Sequence, residues 1–409
     1  MTFLPFVTYL YYIAGAKMFV VFFRRKSFMN VTIVCDVLGS PNNGTTIATL
    51  NLIHHLTEKG HNVKIVSADE STAGRKNYYV VPALRLGRIA DAVLERNGVT
   101  LAKADKAVLE EAIRDADVVH IQIPFALAVA GVKIARAMNK PVTASFHCQA
   151  ENVTSHLGLM NFPPANRLTY KIFYRNVFRY TDKIHYPTRF IREVFENQVG
   201  PTKGEVISNG VNDAFFQTGR SENSENTGEK FTIVCTGRYS KEKAQEVLLK
   251  AAAKSAHREN LRIVLAGDGP CKKQLMRLAE KLGIDCEFRF FSREELIGRL
   301  KSADLYVHTA LIEIEAIACM EAIASGLVPV ICDSERSATR FFALDKNNLF
   351  RKNDPDDLAA KIDFWYEHRD LKEDYAGKYE ELRSEFRQKN CMDRMEKMLL
   401  DAIEEHKAS

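Results

Sequence analysis

The stretch EIEAIACMEAIASG, residues 313–326, lies between two apolar runs of the sequence. The first run ends at Ala310, and the second, LVPVIC, begins at Leu327. Both runs are typical of buried parallel strands, so the stretch between them is predicted to form a loop followed by a crossover helix. Open α/β sheets bind ligands at the carboxyl ends of their strands. Glu313 is therefore predicted to lie at the mouth of a binding site.

Two carboxylates of this stretch, Glu313 and Glu321, have seven residues between them. On one helix they would lie about 12 Å apart along the axis and roughly 80° apart around it, so they would not be neighbours. We expect Glu313 in the loop and Glu321 in the helix, both facing a ligand at the helix N-terminus, where unpaired N–H groups favour a phosphate. The alternative is an amphipathic helix with two solvated glutamates. The N–H groups in question belong to Ile314, Glu315, Ala316 and Ile317.

The stretch resembles the signature of the retaining glycosyltransferases of family 4, in which two Glu separated by seven residues precede small residues and then Gly, Pro and Val. The resemblance implies that Glu313 contacts the transferred sugar, that Glu321 binds the ribose of a nucleotide, and that the intervening amides bind the diphosphate. The family usually has an aromatic residue and a Gly where this chain has Glu315 and Ala316. A third carboxylate beside a diphosphate is repulsive unless it points away. The matching residues are Glu313, Glu321, Ala322, Ala324, Ser325, Gly326, Pro329 and Val330.

A second part of the predicted site follows the apolar run that begins at residue 231. Gly237 and Arg238 stand near the end of that run, and Lys243 stands at the predicted start of the next helix. Two cations at such a turn can neutralise a departing diphosphate in place of a metal ion. The pattern resembles the family's Gly-Arg followed by Glu-Lys, although Ala244 replaces the Gly that usually comes next. The family's Gly-Asp-Gly-Pro turn is matched at residues 267–270.

The first half of the chain offers two weaker candidates. A strand-like run is followed by the turn-rich segment 39–44 and a helical pattern, but the segment is neither a Walker A loop nor G-x-G-x-x-G. The resemblance implies that Gly44 and Thr45 contact the donor diphosphate, and the alternative is a turn without a ligand. His147 ends the strand-like run 141–148, where a His can contact a sugar hydroxyl or the charge that develops in glycosyl transfer. A structural role is the alternative.

Composition sets the broad class of the protein. A chain of 409 residues with 46% hydrophobic and 27% charged residues is long enough for two globular domains. The net charge of +5 is spread among 52 acidic residues, which argues against a nucleic-acid partner. The eight cysteines are scattered without zinc spacing, which indicates buried thiols in a reducing compartment. The D-x-D at residues 354–356 precedes a helical pattern and is predicted to be a helix cap, so no metal site is predicted.

Strand-like and helical patterns alternate through both halves, which predicts parallel, doubly wound α/β sheets. The polar segment 219–230 between the two series is predicted to be a linker. The resemblance implies the GT-B fold, in which two Rossmann-like domains face each other across a cleft. The predicted parts are an N-terminal extension at 1–29, an acceptor domain at 30–217, a donor domain at 229–370, and a helical segment at 371–409 that packs back on the first domain.

Two features predict a membrane partner. Residues 3–23 are apolar over about the length of a bilayer span, and Arg24, Arg25 and Lys26 follow at once, which favours a cytoplasmic position for the rest of the chain. A dispensable extension before Met29 is the alternative. The predicted helix 166–181 carries a basic stripe flanked by aromatic residues, as in helices that lie on anionic lipid, although a core helix with a solvated face would give the same pattern. The stripe comprises Arg167, Lys171, Arg175 and Arg179, and the aromatics are Tyr170, Phe173, Tyr174, Phe178 and Tyr180.

These features together predict an enzyme that moves a sugar from a nucleotide-diphosphate sugar, expected to be a UDP-sugar, with retention of configuration and without a metal ion. The segment 146–158 resembles the corresponding part of bacterial diacylglycerol glycosyltransferases. The acceptor is therefore predicted to be a membrane lipid such as diacylglycerol, and the enzyme to act at the cytoplasmic face of the membrane. The alternatives are a transferase of cell-surface polysaccharide synthesis, a sugar-nucleotide epimerase, and a non-catalytic binding protein of the same fold.

Overall fold

The structure is a computed structural model, and it describes residues 28–36, 38, 44–85, 87, 100–155, 158–216 and 230–408. The predictions for the apolar segment 3–23, for the turn-rich segment up to residue 43 and for most of the linker 219–230 lie outside these residues. No helix within the described ranges combines the length and the apolar character needed to cross a bilayer.

The first half of the chain forms a seven-stranded parallel sheet with the order β3-β2-β1-β4-β5-β6-β7. The order reverses direction between β1 and β4, which is the position where doubly wound sheets open a ligand crevice. The three-residue edge strand β3 is too short to show a period of its own, and sequence reasoning missed it. The strands are β1 Asn30–Val34, β2 Asn62–Ser67, β3 Tyr78–Val80, β4 Val118–Ile121, β5 Val142–Ser145, β6 Lys183–Tyr186 and β7 Gly204–Val206.

The second half forms a six-stranded parallel sheet with the order β10-β9-β8-β11-β12-β13. Its order reverses between β8 and β11, so each sheet has its own crevice. The strands are β8 Phe231–Thr236, β9 Leu261–Ala266, β10 Cys286–Arg289, β11 Leu305–His308, β12 Pro329–Asp333 and β13 Leu349–Arg351. The prediction of two Rossmann-like α/β domains is confirmed.

The helices cover the sheets, and several begin at side-chain caps that the sequence provides. Asp354 accepts hydrogen bonds from the amides of Asp356 and Asp357, so the D-x-D segment is a helix cap as predicted. The helices are α1 Gly44–Glu58, α2 Lys106–Ile113, α3 Ala126–Ala137, α4 Ala150–Ser155, α5 Pro163–Asn176, α6 Arg189–Val199, α7 Gln245–Lys254, α8 Lys272–Leu282, α9 Arg293–Ser302, α10 Ile317–Ala324, α11 Pro355–Glu367, α12 Leu371–Lys378, α13 Glu380–Glu385 and α14 Gln388–Ala408.

The C-terminal segment divides between the two domains. The long helix α14 buries Met392, Met395 and Leu399 against the first sheet and α1. By contrast, Tyr379 of the preceding segment and Phe386 lie in the core of the second domain. The prediction that the whole of 371–409 packs on the first domain is therefore wrong for 371–386, because Tyr375, Tyr379 and Phe386 are buried in the core of the second domain.

The chain crosses between the domains twice, and the two crossings meet. Val211 donates its amide to the carbonyl of Phe386 at 2.7 Å and accepts the amide of Gln388 at 3.0 Å. Gly210 has a φ of +76°, and a Cβ added there would lie 2.6 Å from the Cα of Gln388. We call residues 208–211 and 386–388 the hinge, because both connections pass through this contact.

Candidate active site

A loop between β11 and α10, residues 309–316, presents Glu313 to the cleft, and we call it the carboxylate loop. Its start is fixed by Thr309, which donates a side-chain hydrogen bond to the carbonyl of Lys243 at 2.6 Å. Its middle is fixed by Glu313, whose carbonyl accepts the amide of Ala338 at 2.9 Å. The loop is therefore held between the turn after β8 and the segment after β12, so Glu313 is close to Lys243.

Glu313 forms a direct ion pair with the Lys243 ammonium. The imidazole of His308, at the end of β11, places Nε2 3.3 Å from the Glu313 carboxylate. Burial opposes ionisation of Glu313, but Lys243 and His308 outweigh it and lower the pKa of the carboxyl to about 2. Glu313 is thus a charged group at neutral pH. His308 was missed by sequence reasoning, because a His at the end of an apolar run carries no signal until the fold brings it to the loop.

Glu321 lies in α10, as predicted, in the second turn of the helix. Burial raises the pKa of its carboxyl to about 7, and the more distant Arg293 offsets this only in part. The helix begins at Ile317, so the predicted phosphate-binding amides of 314–316 belong to the loop before it. Ile317 itself is the first residue of the helix.

Both positions where this chain has Ala in place of the family's Gly have left-handed backbone conformations. Ala244 has a φ of +49° and precedes α7, and Ala316 has a φ of +61° and precedes α10. The other non-glycine residues with positive φ in the described ranges are asparagines, which tolerate that region. The backbone at both helix starts therefore has a conformation that glycine adopts without strain, and the chain accepts local strain there.

Ala244→Gly and Ala316→Gly are each expected to raise the unfolding free energy by about 0.5 to 1 kcal/mol, because the left-handed strain of Ala exceeds the extra chain entropy of Gly. Urea unfolding measures the change. Ala251→Gly, inside the regular helix α7, is the matched control and is expected to lower stability by about 1 kcal/mol. Equal losses at all three positions would contradict the assignment.

The turn after β8 carries Arg238 and depends on three glycines. A Cβ at Gly267 would lie 2.0 Å from the carbonyl oxygen of Gly237, and a Cβ at Gly269 would lie 2.6 Å from that of Tyr239. The Gly-Asp-Gly-Pro turn thus lets two strand ends approach closely. Gly237 itself has a φ of +147°. The close packing of this turn fixes the backbone of Arg238 at the same edge as Lys243.

The start of α1 in the first domain faces the start of α10 in the second. A Cβ added to Gly44 would lie 4.0 Å from the Cδ1 atom of Ile317. Thr45 follows Gly44 in the first turn of α1, and its carbonyl accepts a hydrogen bond from Thr49. Two helix N-termini therefore converge on the cleft, and their dipoles favour an anion between them.

His147 lies two residues beyond the end of β5, so it is in a loop and not in the predicted strand. It lines a small cavity with Gln122, His185 and Asn209. Its ring contacts that of His185 edge to face, at 5.6 Å between centroids. Burial and the neighbouring histidines lower the pKa of His147 well below its usual value, so it is neutral at physiological pH.

A chain of buried hydrogen bonds fixes the orientation of His185 beneath His147. His185 donates from Nε2 to the carbonyl of Ile207 at 2.6 Å, so its Nδ1 atom accepts from the Ser145 hydroxyl at 2.9 Å. The same hydroxyl oxygen accepts from Nε2 of His120 at 3.0 Å. Burial lowers the pKa of His120 to about 3 and that of His185 to about 4. These histidines are neutral parts of the scaffold.

Side-chain hydrogen bonds connect the two domains around the cleft. Arg336 donates to the Asn161 side chain at 2.7 Å, and Gln149 donates to the carbonyl of Arg336 at 3.4 Å. Thr188 donates to the carbonyl of Ile314 in the carboxylate loop at 2.8 Å. Glu315 accepts from Asn209, so its side chain points away from the cleft.

Two family models match the chain in succession. The model described as Glycosyltransferase Family 4 matches residues 42–215, and that described as Glycosyl transferases group 1 matches residues 217–382. Both matches coincide with the two halves that carry the site. The chain belongs to the family 4 glycosyltransferases. It is therefore a glycosyltransferase with a GT-B fold.

Three known proteins illustrate the range of this glycosyltransferase's relatives. Alpha-monoglucosyldiacylglycerol synthase of Streptococcus pneumoniae is 24% identical over 319 residues, which cover 74% of this chain and 70% of that protein. Anabaena HepE, solved with UDP-glucose, covers 91% of this chain and 100% of its own with a TM-score of 0.71 and 14% identity, which shows the shared fold. The catalytic domain of cholesterol-alpha-glucosyltransferase from Helicobacter pylori is 45% identical and covers 40% of this chain and 98% of its own, with a TM-score of 0.36.

Within the described ranges of this glycosyltransferase, one group of side chains is arranged so that it could hold a metal ion. The group comprises His55, Asp393 and Glu396. The Lys59 ammonium lies 2.6 Å from Asp393 and 3.2 Å from Glu396, so these carboxylates already have a cation. The group joins the end of α1 to α14 as an ion-pair network. In the D-x-D segment, Asp354 caps α11 and Asp356 pairs with Lys254, so both carboxylates already have partners.

The basic residues of α5 are exposed, as the stripe predicted, but the helix ends at Asn176 and leaves Arg179 in the following 3-10 turn. The flanking aromatics do not share this surface, because Tyr170, Phe173 and Phe178 are buried in the core. The exposed apolar residues beside the stripe are Phe162, Leu168 and Ile172, with 52%, 59% and 46% of their surface exposed. We call this surface, with Arg167, Lys171 and Arg175, the basic-apolar face.

The glycosyltransferase is expected to lose stability as the pH rises through 7. Burial raises the pKa of Asp36, Glu315 and Glu321 to about 7, so the folded state retains protons that the unfolded state releases near pH 4. The melting temperature is expected to be about 5 °C or more lower at pH 8.5 than at pH 5.5. Glu321→Gln removes one of these titrations and is expected to reduce the difference. A melting temperature that does not change over this range would contradict the expectation.

Proposed function

We propose that this enzyme transfers a sugar, with retention of configuration, from a UDP-sugar to a membrane lipid acceptor such as diacylglycerol. The assignment of the donor rests on the convergence of Glu313, Lys243 and the starts of α1 and α10 on one cleft. Anionic diphosphate fits between two helix N-termini and a cation. The assignment of a lipid acceptor is supported by the basic-apolar face and by the name of the Streptococcus pneumoniae relative.

Each donor-side residue has a proposed role that its surroundings support. Arg238 and Lys243 stabilise the departing diphosphate together with the amides of the carboxylate loop and of the first turn of α10. Gly44 and Thr45 allow the diphosphate to approach the start of α1. Glu321, as a half-buried carboxylate, accepts hydrogen bonds from the ribose hydroxyls and is ionised when they bind.

Two further groups position the sugar. Glu313 is held as an anion by Lys243 and His308, so it accepts hydrogen bonds from sugar hydroxyls without taking up a proton. His147, held as a neutral imidazole in the first domain, is proposed to contact the sugar by donating one hydrogen bond and accepting another. Neither group is proposed as a covalent nucleophile.

We propose that the transfer requires no divalent ion. The two cations and the two helix N-termini supply positive charge where a metal-dependent transferase would use an ion. We expect the enzyme to retain its activity after exhaustive EDTA treatment, with added Mg²⁺ or Mn²⁺ changing the rate by less than about threefold. A strict requirement for either ion would contradict the proposal.

The acceptor reaches the cleft from the membrane, where the basic-apolar face lies on anionic lipid. Three cations contribute about 1 kcal/mol each near such a surface, which is enough for reversible, salt-sensitive binding. The exposed Leu168 and Ile172 can insert among the acyl chains beside them. Asn161, next to Phe162 of this face, accepts a hydrogen bond from Arg336 of the second domain at 2.7 Å, so one end of the face lies where the two domains meet.

The donor and acceptor are tested by turnover with a panel of substrates. UDP-glucose, UDP-galactose and GDP-mannose are each incubated with vesicles that contain diacylglycerol or a sterol, and with soluble sugar acceptors. Transfer from a UDP-sugar to a lipid supports the proposal, and NMR of the product reads the anomeric configuration. Transfer only to a soluble sugar defeats the acceptor assignment, and no turnover of any sugar nucleotide defeats the donor assignment.

Docking is tested by flotation with anionic and with neutral vesicles at low and high salt. The full chain and a version that lacks residues 1–26 are compared, because the apolar N-terminal segment can bind lipid by itself. Lys171→Glu with Arg175→Glu is expected to abolish binding of the shorter version to anionic vesicles. Lys250→Glu with Lys273→Glu, which reverses two exposed charges in the second domain, is the matched control. If both double variants lose binding, the effect of charge is non-specific, which would contradict the assigned face.

A further inference from the structure

Glu315 is a buried carboxylate that joins the carboxylate loop to the hinge. Only 4% of its surface is exposed. Oε1 accepts the backbone amide of Asn209 at 2.9 Å, and Oε2 accepts the Asn209 side-chain amide at 2.5 Å. The Ser208 hydroxyl is a third hydrogen-bond donor to the same carboxylate. Each bond crosses from the second domain to the first.

The segment that contains Asn209, residues 208–211, lies in the hinge between the two domains. Asn209 is two residues before Val211, which pairs with the second chain crossing through Phe386 and Gln388. Phe215 and Phe216, just beyond it, are buried in the core of the second domain. A rotation of one domain against the other therefore moves the segment that Glu315 holds.

The carboxylate loop, at the other end of this contact, carries the residue proposed to position the sugar. Glu313, two residues before Glu315, is the carboxylate paired with Lys243. Ala316, the next residue, has the left-handed conformation that starts α10. A shift of Glu315 is thus transmitted within two residues to the sugar-facing carboxylate and to the helix N-terminus.

We propose that Glu315 is a positioning residue that couples the hinge to the carboxylate loop, so that the angle between the domains sets the position of Glu313. The inference rests on the proposed function in taking Glu313 as the sugar-positioning carboxylate. Glu315 touches neither sugar nor nucleotide. It holds Glu313 in the reactive position only when Asn209 is in place.

The hydrogen-bond pattern permits a reciprocal exchange of the two partners. In Glu315→Gln one acceptor oxygen becomes an amide NH₂, so the pair keeps a hydrogen bond only if the Asn209 amide rotates by 180° and moves its own NH₂ out of the contact. Asn209→Asp alone places two carboxylates together. Combining Glu315→Gln with Asn209→Asp restores an acceptor opposite each donor, and the backbone amide of residue 209 keeps its acceptor.

Turnover is the first measurement. Each single variant is expected to lower kcat roughly tenfold, because Glu313 is displaced. The Kd of UDP is expected to rise by a smaller factor of about threefold, because the loop amides shift while Glu321 and Arg238 are untouched. The double variant is expected to recover kcat to within about threefold of the wild type. Asp213→Asn, which removes an exposed ion pair with Arg387 close to the hinge, is the matched control with unchanged kcat.

Hydrogen exchange is the second measurement and needs no ligand. In Glu315→Gln, amide exchange at 208–211 and at 313–317 is expected to rise together, by roughly tenfold, and to return in the double variant. A rise in only one of the two segments overturns the coupling, as does wild-type kcat in a folded single variant or a double variant no better than the single ones. If the wild type neither binds UDP nor turns over a sugar nucleotide, the proposed function fails, and the exchange result still decides whether the loop and hinge are coupled.

Discussion

Arg238→Ala is expected to lower turnover of the sugar nucleotide about 100-fold or more while the protein stays folded, because it removes a cation from the departing diphosphate. The backbone of the turn has other contacts that hold it in place. The Arg238 carbonyl accepts a hydrogen bond from the buried Gln245 side chain at 2.8 Å, and Gly237 and Gly267 fix the turn from the other side. The loss is therefore expected in kcat and not in the melting temperature.

Lys243→Ala is expected to lower turnover by a similar factor, about 100-fold. It also leaves Glu313 without its ion-pair partner in a site where burial raises the pKa, so stability is expected to fall as well. Combining Lys243→Ala with Glu313→Gln removes the unpaired charge and is expected to restore stability without restoring turnover. The combination separates the structural effect of the pair from its effect on the leaving group.

Steady-state turnover and melting temperature are the measurements for both cations. Lys241→Ala is the matched control, because Lys241 is an exposed lysine in the same 3-10 turn, two positions before Lys243. It is expected to retain wild-type turnover. Full activity in a folded Arg238→Ala or Lys243→Ala variant would contradict the leaving-group assignment.

The two carboxylates of the site are expected to have separable effects. Glu321→Gln is expected to weaken nucleotide binding about tenfold, because the ribose hydroxyls lose an anionic acceptor. Glu313→Gln is expected to lower kcat about 100-fold with less change in the Kd of UDP, because Glu313 faces the sugar and not the nucleotide. Its charge is maintained by Lys243 and His308, so the contribution of Glu313 to stability is present above pH 4.5 and is lost as the pH falls toward 2.

Calorimetric titration with UDP and initial rates with the full donor distinguish these effects. Glu335→Gln, the same substitution at an exposed position beyond β12, is the matched control for both measurements. If Glu313→Gln and Glu321→Gln each retain wild-type affinity and rate, the stretch is a structural helix with no part in donor binding. If Glu321→Gln lowers only kcat, the two roles have been assigned in the wrong order.

Much of the fold follows from local patterns. Apolar runs of strand length alternate with helical patterns, and buried parallel strands show such runs because both of their faces are covered. The ends of those apolar runs did not predict where the strands end. Residues beyond β5 are also buried, so the run 141–148 extended the predicted strand past Ser145 and placed His147 in it. The edge strands at 78–80 and 349–351 are too short for a pattern.

The sequence alone determined which elements carry the site, since the spacing of Glu313 and Glu321 and the Gly-Arg turn are local features of strand ends and helix starts. Tertiary structure decided how these groups interact. Lys243 and Glu313 are 70 positions apart and pair only because β8 and β11 are neighbours in the sheet. Glu315, read from the sequence as a third carboxylate beside the diphosphate, turns instead to Asn209 of the other domain. Such contacts depend on how two separately folded sheets are placed against each other, and no local periodicity encodes that placement.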